Sequence, residues 1–170
     1  DWLGDTIEKI AFEKAGIIRP NIPVIFAGAQ HLPHASQNKV NECQAQLFAV
    51  NRDYFYQYTD DGQAWMFASS GTTLKLPTGS LALENISTAV AAILISGLKV
   101  TQDAIAQGIQ NAKLPGRFEI RQIQGKTVIF DAGHNPHGVD FLLNQLRKFL
   151  EYNKQYTEVI SVFSMLADKD

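Results

Sequence analysis

The sequence predicts an α/β fold, and the clearest sign is a strand, a helix and a second strand in its last third. Residues 127–130 form a β-branched and aromatic run that is typical of a buried strand. Asn135 and Pro136 suit the N-cap and first position of a helix, and apolar residues recur at three- and four-residue spacings over residues 137–150. Residues 159–163 are the second strand, and a crossover of this length predicts a parallel βαβ unit.

The loop between the first of these strands and the helix carries an acid and an imidazole, Asp131 and His134. Ligands of parallel α/β sheets bind outside the carboxyl ends of the strands, and phosphates favour helix N-termini. We therefore predict a ligand-binding edge at this loop. The residues alone leave a structural alternative open, in which Asp131 accepts backbone N–H groups and a partly buried His134 is satisfied by its neighbours.

Composition narrows the function classes. A chain of 170 residues, 45% hydrophobic and 19% charged, predicts one large or two small globular domains. A net charge of -2 gives no basic surface for nucleic acid or anionic membranes. The lone Cys43 excludes an internal disulfide framework and favours a reducing, cytoplasmic location. The longest apolar run, residues 89–95, is far short of the roughly 20 residues that span a bilayer.

The first half of the chain alternates predicted helices and strands. Asp5 is suited to cap a helix with Glu8 at its third position, and Gly16 ends that helix. The following pattern predicts three elements, which are a strand at 23–28, a helix at 33–47 and a strand at 47–50. His31 and His34 are expected on the surface, because Pro33 between them favours a loop and no acid or cysteine completes a metal site.

Aromatic residues alternate with polar ones over residues 51–76, which predicts a solvated hairpin around Asp60-Asp61-Gly62. Helices are predicted at 84–96 and at 102–112, the second capped by Thr101. The helical pattern breaks just beyond, so we place a domain boundary between residues 1–113 and 114–170. The second part holds too few elements to enclose a core, and the chain is expected to be an internal fragment of a longer protein.

Four blocks of the sequence resemble folylpolyglutamate synthase, in bacteria often the bifunctional dihydrofolate synthase, of the Mur ligase superfamily. They occur in the family's order and are residues 3–17 (LGDTIEKIAFEKAGI), 114–119 (LPGRFE), 131–136 (DAGHNP) and 168–170 (DKD). The resemblance implies that residues 1–113 are part of a central P-loop ATPase domain and residues 114–170 the start of a Rossmann-like C-terminal domain. The family's Gly-x-x-x-x-Gly-Lys-Ser/Thr loop does not occur in the chain and is expected upstream.

The resemblance also implies the chemistry. The family uses ATP and Mg²⁺ to phosphorylate a folate or dihydropteroate carboxylate, and the amino group of L-glutamate then displaces the phosphate to form an amide. The expected partners are these small molecules, with no nucleic acid and no membrane, and a monomer is expected. Two alternatives are a Mur-type ligase acting on a peptidoglycan precursor and a noncatalytic nucleotide-binding module.

Lys14 and Arg117 match two charged residues of the family. Lys14 aligns with the lysine that the family carbamylates to make a magnesium ligand, and oxygen donors are what magnesium prefers. On pattern alone, Lys14 complements the helix dipole in a last turn. Arg117 matches an arginine that reaches ATP, for which a planar and permanently charged guanidinium is suited. The alternative is a solvated linker arginine.

The remaining candidates surround the nucleotide in the family. Asp131 matches an acid that binds the nucleotide through ribose hydroxyls, and His134 matches a histidine near the phosphates and the incoming glutamate. Asn85 matches an asparagine that contacts the nucleotide, with a plain N-cap as its alternative. The family more often has alanine where this chain has Gly133, and we expect that glycine to loosen the loop.

Overall fold

The computed structural model describes residues 4–28 and 31–164. The chain divides into two compact units, Asp1–Ala112 and Lys113–Asp170, and each combines helix with sheet, which confirms the predicted α/β class. Residue 3 of the first sequence block and all of the 168–170 block lie outside the described residues. No helix of the described ranges is both long and apolar enough to cross a membrane.

The first unit begins with a helix, a strand, a helix and a strand. These are α1 (Ile7–Ala15), β1 (Val24–Phe26), α2 (His34–Glu42) and β2 (Leu47–Ala49). β1 and β2 pair in parallel with Val24 opposite Leu47, so the parallel βαβ arrangement occurs here, with α2 as the crossover. α1 contacts α2, and small and aliphatic side chains fill the space around them: Ala15, Ile18, Val40 and Cys43.

Two predicted helix ends in this region are wrong. The N-cap of α1 is Thr6, which is extended and accepts a hydrogen bond from the Lys9 N–H at 3.3 Å, whereas Asp5 pairs with the Lys9 ammonium at 2.7 Å. Two adjacent residues are both able to cap, and the backbone conformation selects the second. α2 stops at Glu42 instead of continuing to Leu47, because Gln44 has a φ of 49° that no helix accommodates.

The predicted hairpin is a three-stranded antiparallel sheet formed by β3 (Tyr54–Tyr58), β4 (Ala64–Ser69) and β5 (Thr72–Pro77). The prediction that it is solvated holds for one face only. Its other face carries the largest fully buried side chains of the described residues, which include Tyr54, Trp65, Phe67 and Leu76. Tyr54 stacks on Phe67 with ring centroids 6.0 Å apart, and Trp65 meets Phe67 edge-on.

Two helices complete the first unit, α3 (Leu83–Ile95) and α4 (Gln102–Asn111). Both predicted helices are confirmed, as is the Thr101 cap, whose hydroxyl accepts from the Ala104 N–H at 3.2 Å. Their apolar faces join the aromatic face of the sheet in one core through Ile86, Val90, Ala91, Ile105 and Ile109.

The second unit contains a hairpin and a long helix, β6 (Glu119–Ile123), β7 (Lys126–Phe130) and α5 (Pro136–Tyr152). β6 and β7 are antiparallel and joined by Gln124 and Gly125, both with positive φ, as a two-residue type I′ turn requires. The predicted strand β7 and helix α5 are confirmed. Asn135 caps α5 by accepting the Gly138 N–H at 2.8 Å.

The strand predicted at residues 159–163 is wrong, and with it the parallel βαβ unit at this end of the chain. Residues 159–164 form no ladder, and the side chains of Val162 and Phe163 are 96% and 71% exposed. An apolar run becomes a strand only when another strand satisfies its backbone. β7 takes its partner from β6, a strand that the sequence pattern did not reveal.

We expect the two faces of the β3–β5 sheet to differ sharply in their effect on stability. Phe67→Ala removes a ring that is 0% exposed and should lower the free energy of unfolding by about 3–5 kcal/mol. Phe55→Ala, on the neighbouring strand, removes a ring that is 50% exposed and should cost about 1 kcal/mol. Urea unfolding of both variants measures the difference, and equal losses would show that the core is placed on the wrong face.

Candidate functional site

The loop after β7 is fastened to the turn before β6 by the side chain of Asp131. Its Oδ2 accepts the Phe118 N–H at 2.8 Å, and its Oδ1 accepts the Gly133 N–H at 2.7 Å. The Ala132 N–H donates to the carbonyl of Gly116 at 2.8 Å and closes the junction. The structural role considered for Asp131 is therefore present. A carboxylate has about four acceptor positions, so its two oxygens retain capacity for ligand donors.

His134 lies at the outer end of this loop, and its side chain is exposed. The partly buried histidine of the structural alternative is therefore wrong. Nδ1 lies 3.1 Å from the carbonyl oxygen of Ala132. A carbonyl oxygen only accepts, so in the neutral tautomer that forms this hydrogen bond Nδ1 is the donor and the lone pair is on Nε2.

Gly133 tightens the loop instead of loosening it. A Cβ at this position would lie 3.0 Å from Asp131 Oδ1 and 3.2 Å from the carbonyl carbon of Gly138. The missing side chain therefore lets the loop approach both the carboxylate and the first turn of α5. This close packing fixes His134 between a strand end and a helix N-terminus.

Arg117 lies in the turn before β6, and backbone contacts fix its main chain there. Its N–H donates to the Leu114 carbonyl at 3.1 Å, and its neighbours Gly116 and Phe118 have φ values of 66° and 43°. Its side chain is exposed, and the described residues show no hydrogen bond or ion pair to its guanidinium. We refer to Arg117, Asp131 and His134 as the loop cluster.

The other two candidates lie on separate helices of the first unit. Lys14 is exposed in the last turn of α1, where a cation also complements the helix dipole. Asn85 is exposed and is the third residue of α3, whose N-cap is Ala82. The plain N-cap considered for Asn85 is therefore wrong, and its side chain is available to a ligand.

The helix that carries Lys14 is tied to α2 by Glu8, a residue for which the sequence suggested only a capping box. Its carboxylate accepts the backbone N–H groups of His34 at 3.0 Å and Ala35 at 2.8 Å. These two hydrogen bonds, that from Ala35 first, lower the pKa of Glu8 below its ordinary value. The partners lie 26 and 27 residues away, so no local pattern reveals them.

Metal-ligating side chains are dispersed in the part of the chain that the structure describes, which contains no group of three His, Cys, Asp or Glu able to hold an ion. His31 and His34 are exposed, as predicted, although His34 begins α2 instead of lying in a loop. An open groove of about 830 Å³ lies between α1 and α2, and Phe12, Glu13 and Lys39 are among its lining residues.

Comparison with known proteins agrees with the resemblance read from the four sequence blocks. The family described as "Mur ligase, glutamate ligase domain" matches residues 116–170, which include the loop cluster. The dihydrofolate synthase/folylpolyglutamate synthase of Escherichia coli strain K12 is 37% identical over 171 residues, covering 100% of this chain and 39% of that protein. The chain therefore spans about two fifths of this relative's length.

Solved structures show the same similarity. E. coli FolC in complex with DHPP and ADP has a TM-score of 0.77 and 38% identity, covering 87% of this chain and 35% of that chain. The bifunctional folylpolyglutamate synthase/dihydrofolate synthase of Yersinia pestis with AMPPNP and a Mn ion has a TM-score of 0.76 and 33% identity, covering 89% and 36%. The resemblance to this family is confirmed.

The two hydrogen bonds that the Glu8 carboxylate accepts from His34 and Ala35, which we call the Glu8 clamp, predict a specific dependence of stability on pH. Because the folded pKa lies below the ordinary value of 4.5, the stabilisation is fully present above that value and is lost as the pH falls through the folded pKa. Glu8→Gln should flatten the decline in unfolding free energy that we expect of the wild type as the pH falls below 4.5.

Chemical unfolding at a series of pH values measures that slope. Glu13→Gln, an exposed glutamate on the same helix, is the matched control. A change of slope in the control as large as that of Glu8→Gln would contradict the clamp.

Proposed function

Because the chain resembles the folylpolyglutamate and dihydrofolate synthases along its whole length, we propose that it is part of an ATP- and Mg²⁺-dependent amide ligase. The enzyme adds L-glutamate to the carboxylate of a folate or of dihydropteroate. The observation that carries the proposal is the position of the loop cluster, which lies within the residues that match a glutamate ligase domain. The nucleotide and DHPP named with the similar structures support the substrate classes.

The proposed reaction has two steps and needs only the acceptor, ATP and L-glutamate as reactants. A carboxylate oxygen of the acceptor attacks the γ-phosphorus of ATP, and ADP leaves with the electrons of the broken P–O bond. The amino nitrogen of glutamate then attacks the acyl carbon, inorganic phosphate leaves, and the nitrogen loses a proton. In both steps negative charge develops on oxygen atoms of the acceptor, the nucleotide or the leaving phosphate, so positioned cations and hydrogen-bond donors are the main requirement.

The loop cluster offers three groups suited to this reaction. Arg117 carries a planar guanidinium, which binds phosphate oxygens bidentately. His134 has an unprotonated Nε2 when Nδ1 donates to Ala132, and such a lone pair can accept the proton of the incoming amine. The remaining acceptor positions of Asp131 suit ribose hydroxyls, and the exposed amide of Asn85 suits a further nucleotide contact.

Lys14 is the proposed residue for holding magnesium. As an ammonium it has only hydrogens to offer and cannot ligate a cation, whereas a carbamate on the same nitrogen supplies two oxygens. Its exposed position at the end of α1 leaves room for that modification. Magnesium bound there would supply positive charge to the phosphate oxygens.

The proposed organisation follows the same resemblance. Residues 1–113 are assigned to the central ATP-binding domain and residues 114–170 to the start of the C-terminal domain. The division of the structure between Ala112 and Lys113 supports this boundary. We propose that the whole protein is longer than this chain and acts as a cytoplasmic monomer.

The full-length protein should release ADP in step with amide formation when given ATP, Mg²⁺, L-glutamate and either dihydropteroate or a reduced folate. Mass spectrometry of the acceptor, with ADP measured in the same samples, detects the coupled products. A peptidoglycan nucleotide precursor is the competing acceptor. Its consumption would favour the Mur-type alternative, and nucleotide binding without any product would favour a binding module.

The 170-residue chain alone should neither hydrolyse ATP nor form the amide. It contains no Gly-x-x-x-x-Gly-Lys-Ser/Thr loop to surround the triphosphate, and phosphoryl transfer depends on that positioning. The measurement is ADP release by the purified chain beside an equal concentration of the full-length protein. Measurable ATP hydrolysis by the 170-residue chain would contradict the prediction that it cannot position the triphosphate.

A further inference from the structure

The turn that carries Arg117 has a strained backbone. Phe118 has a φ of 43°, a left-handed conformation that bulky side chains rarely adopt, and Gly116 has a φ of 66°. A non-glycine residue in this region is unfavourable and persists only where its surroundings hold it. Such strain concentrates at functional sites, and here two neighbouring residues hold the turn in its strained conformation.

Glu119, the first residue of β6, holds the near side of the turn. Its Oε2 accepts the Gly116 N–H at 2.9 Å, and its Oε1 accepts from Nε of Arg121 at 2.7 Å. The Arg121 guanidinium in turn lies over the ring of Phe130, with its central carbon 5.4 Å from the ring centroid. The Glu119 carboxylate therefore connects the turn to the paired strands β6 and β7.

Phe118 holds the far side. Its N–H is bound by Asp131, and its ring meets Phe149 of α5 edge-on with centroids 6.2 Å apart. Phe149 also stacks on Tyr156 at 5.6 Å. The residues on both sides of Arg117 are thus fixed to rigid elements, whereas the Arg117 side chain is left exposed.

We propose that Glu119 is a positioning residue for Arg117, which it aims at the phosphates of the bound nucleotide by fixing the Gly116 end of the turn. The inference rests on the proposed function, which supplies the nucleotide. Glu119 acts within the protein in this proposal, because its Oε2 holds the Gly116 N–H and its Oε1 holds Arg121. The proposal requires its effect on nucleotide binding to pass through Arg117.

A double-mutant cycle in the full-length protein tests this route. The variants are Arg117→Ala, Glu119→Gln and the double variant, and calorimetry with Mg²⁺ and AMPPNP measures the dissociation constant. Glu119→Gln should weaken binding about tenfold, which is within the range for coupled neighbours. The double variant should bind no more weakly than Arg117→Ala. Glu151→Gln, an exposed glutamate of α5, is the matched control and should match the wild type.

Additive losses in the double variant, or unchanged affinity in Glu119→Gln, would overturn the proposal. Arg121→Gln is the second variant if Glu119→Gln does not fold, because it frees the same carboxylate, and a smaller loss in the same direction is expected. Amide exchange gives a readout independent of nucleotide. The Gly116 N–H should exchange faster in Glu119→Gln, and the capped Gly138 N–H should not change.

The two proposals fail in different ways. A wild-type protein that binds AMPPNP and forms no amide with either acceptor contradicts the proposed function, whereas the cycle still decides the role of Glu119. A wild-type protein that binds no AMPPNP removes the nucleotide on which both depend and overturns both.

Discussion

The candidate site depends on one carboxylate that satisfies two backbone N–H groups at once. Asp131 joins a strand-end loop to a turn 13 residues earlier in the chain, beside the hydrogen bond from Ala132 to Gly116 and the first pair of the β6–β7 ladder. The positions of Arg117 and His134 both follow from this junction. A substitution at Asp131 therefore changes the geometry of its neighbours as well as any direct contact with a ligand. Its effect on activity cannot be assigned to either cause from that variant alone.

The strained turn beside Asp131 is held in place by contacts made elsewhere in the second unit. A left-handed Phe118 is unfavourable in isolation, and the folded unit offsets it with the hydrogen bonds of Asp131 and Glu119 and with the packing of the Phe118 ring. The ordering of the turn is thus completed during folding. A ligand that meets Arg117 then loses less of its binding free energy to ordering the backbone, which is the general advantage of a preformed site.

Local signals in the sequence predicted the elements that local chemistry determines. Asn135 and Thr101 cap their helices as expected, and β7 and the loop beyond it lie where the apolar run and the turn residues indicated. Ladder partners and covered faces escaped prediction because they depend on distant residues. The apolar run at 159–163 has no neighbour to pair with among the described residues, and alternation in β3 and β4 revealed two faces without showing which one α3 and α4 cover. The Glu8 clamp joins residues that are 26 and 27 positions apart, so no local pattern indicates it either.

The single cysteine of the chain lies between α1 and α2 and is a built-in probe for chemical labelling. Cys43 is 7% exposed, packs with Ala15, Ile18 and Val40, and its thiol lies 3.8 Å from the Ile18 carbonyl oxygen. Cys43 also borders the open groove between α1 and α2, so a thiol reagent approaches it from that groove. Because the chain has one cysteine, the labelling rate of the chain under native conditions measures access to this groove without interference from any other thiol. Access to the groove beside α1 is therefore measurable in this chain without a substitution.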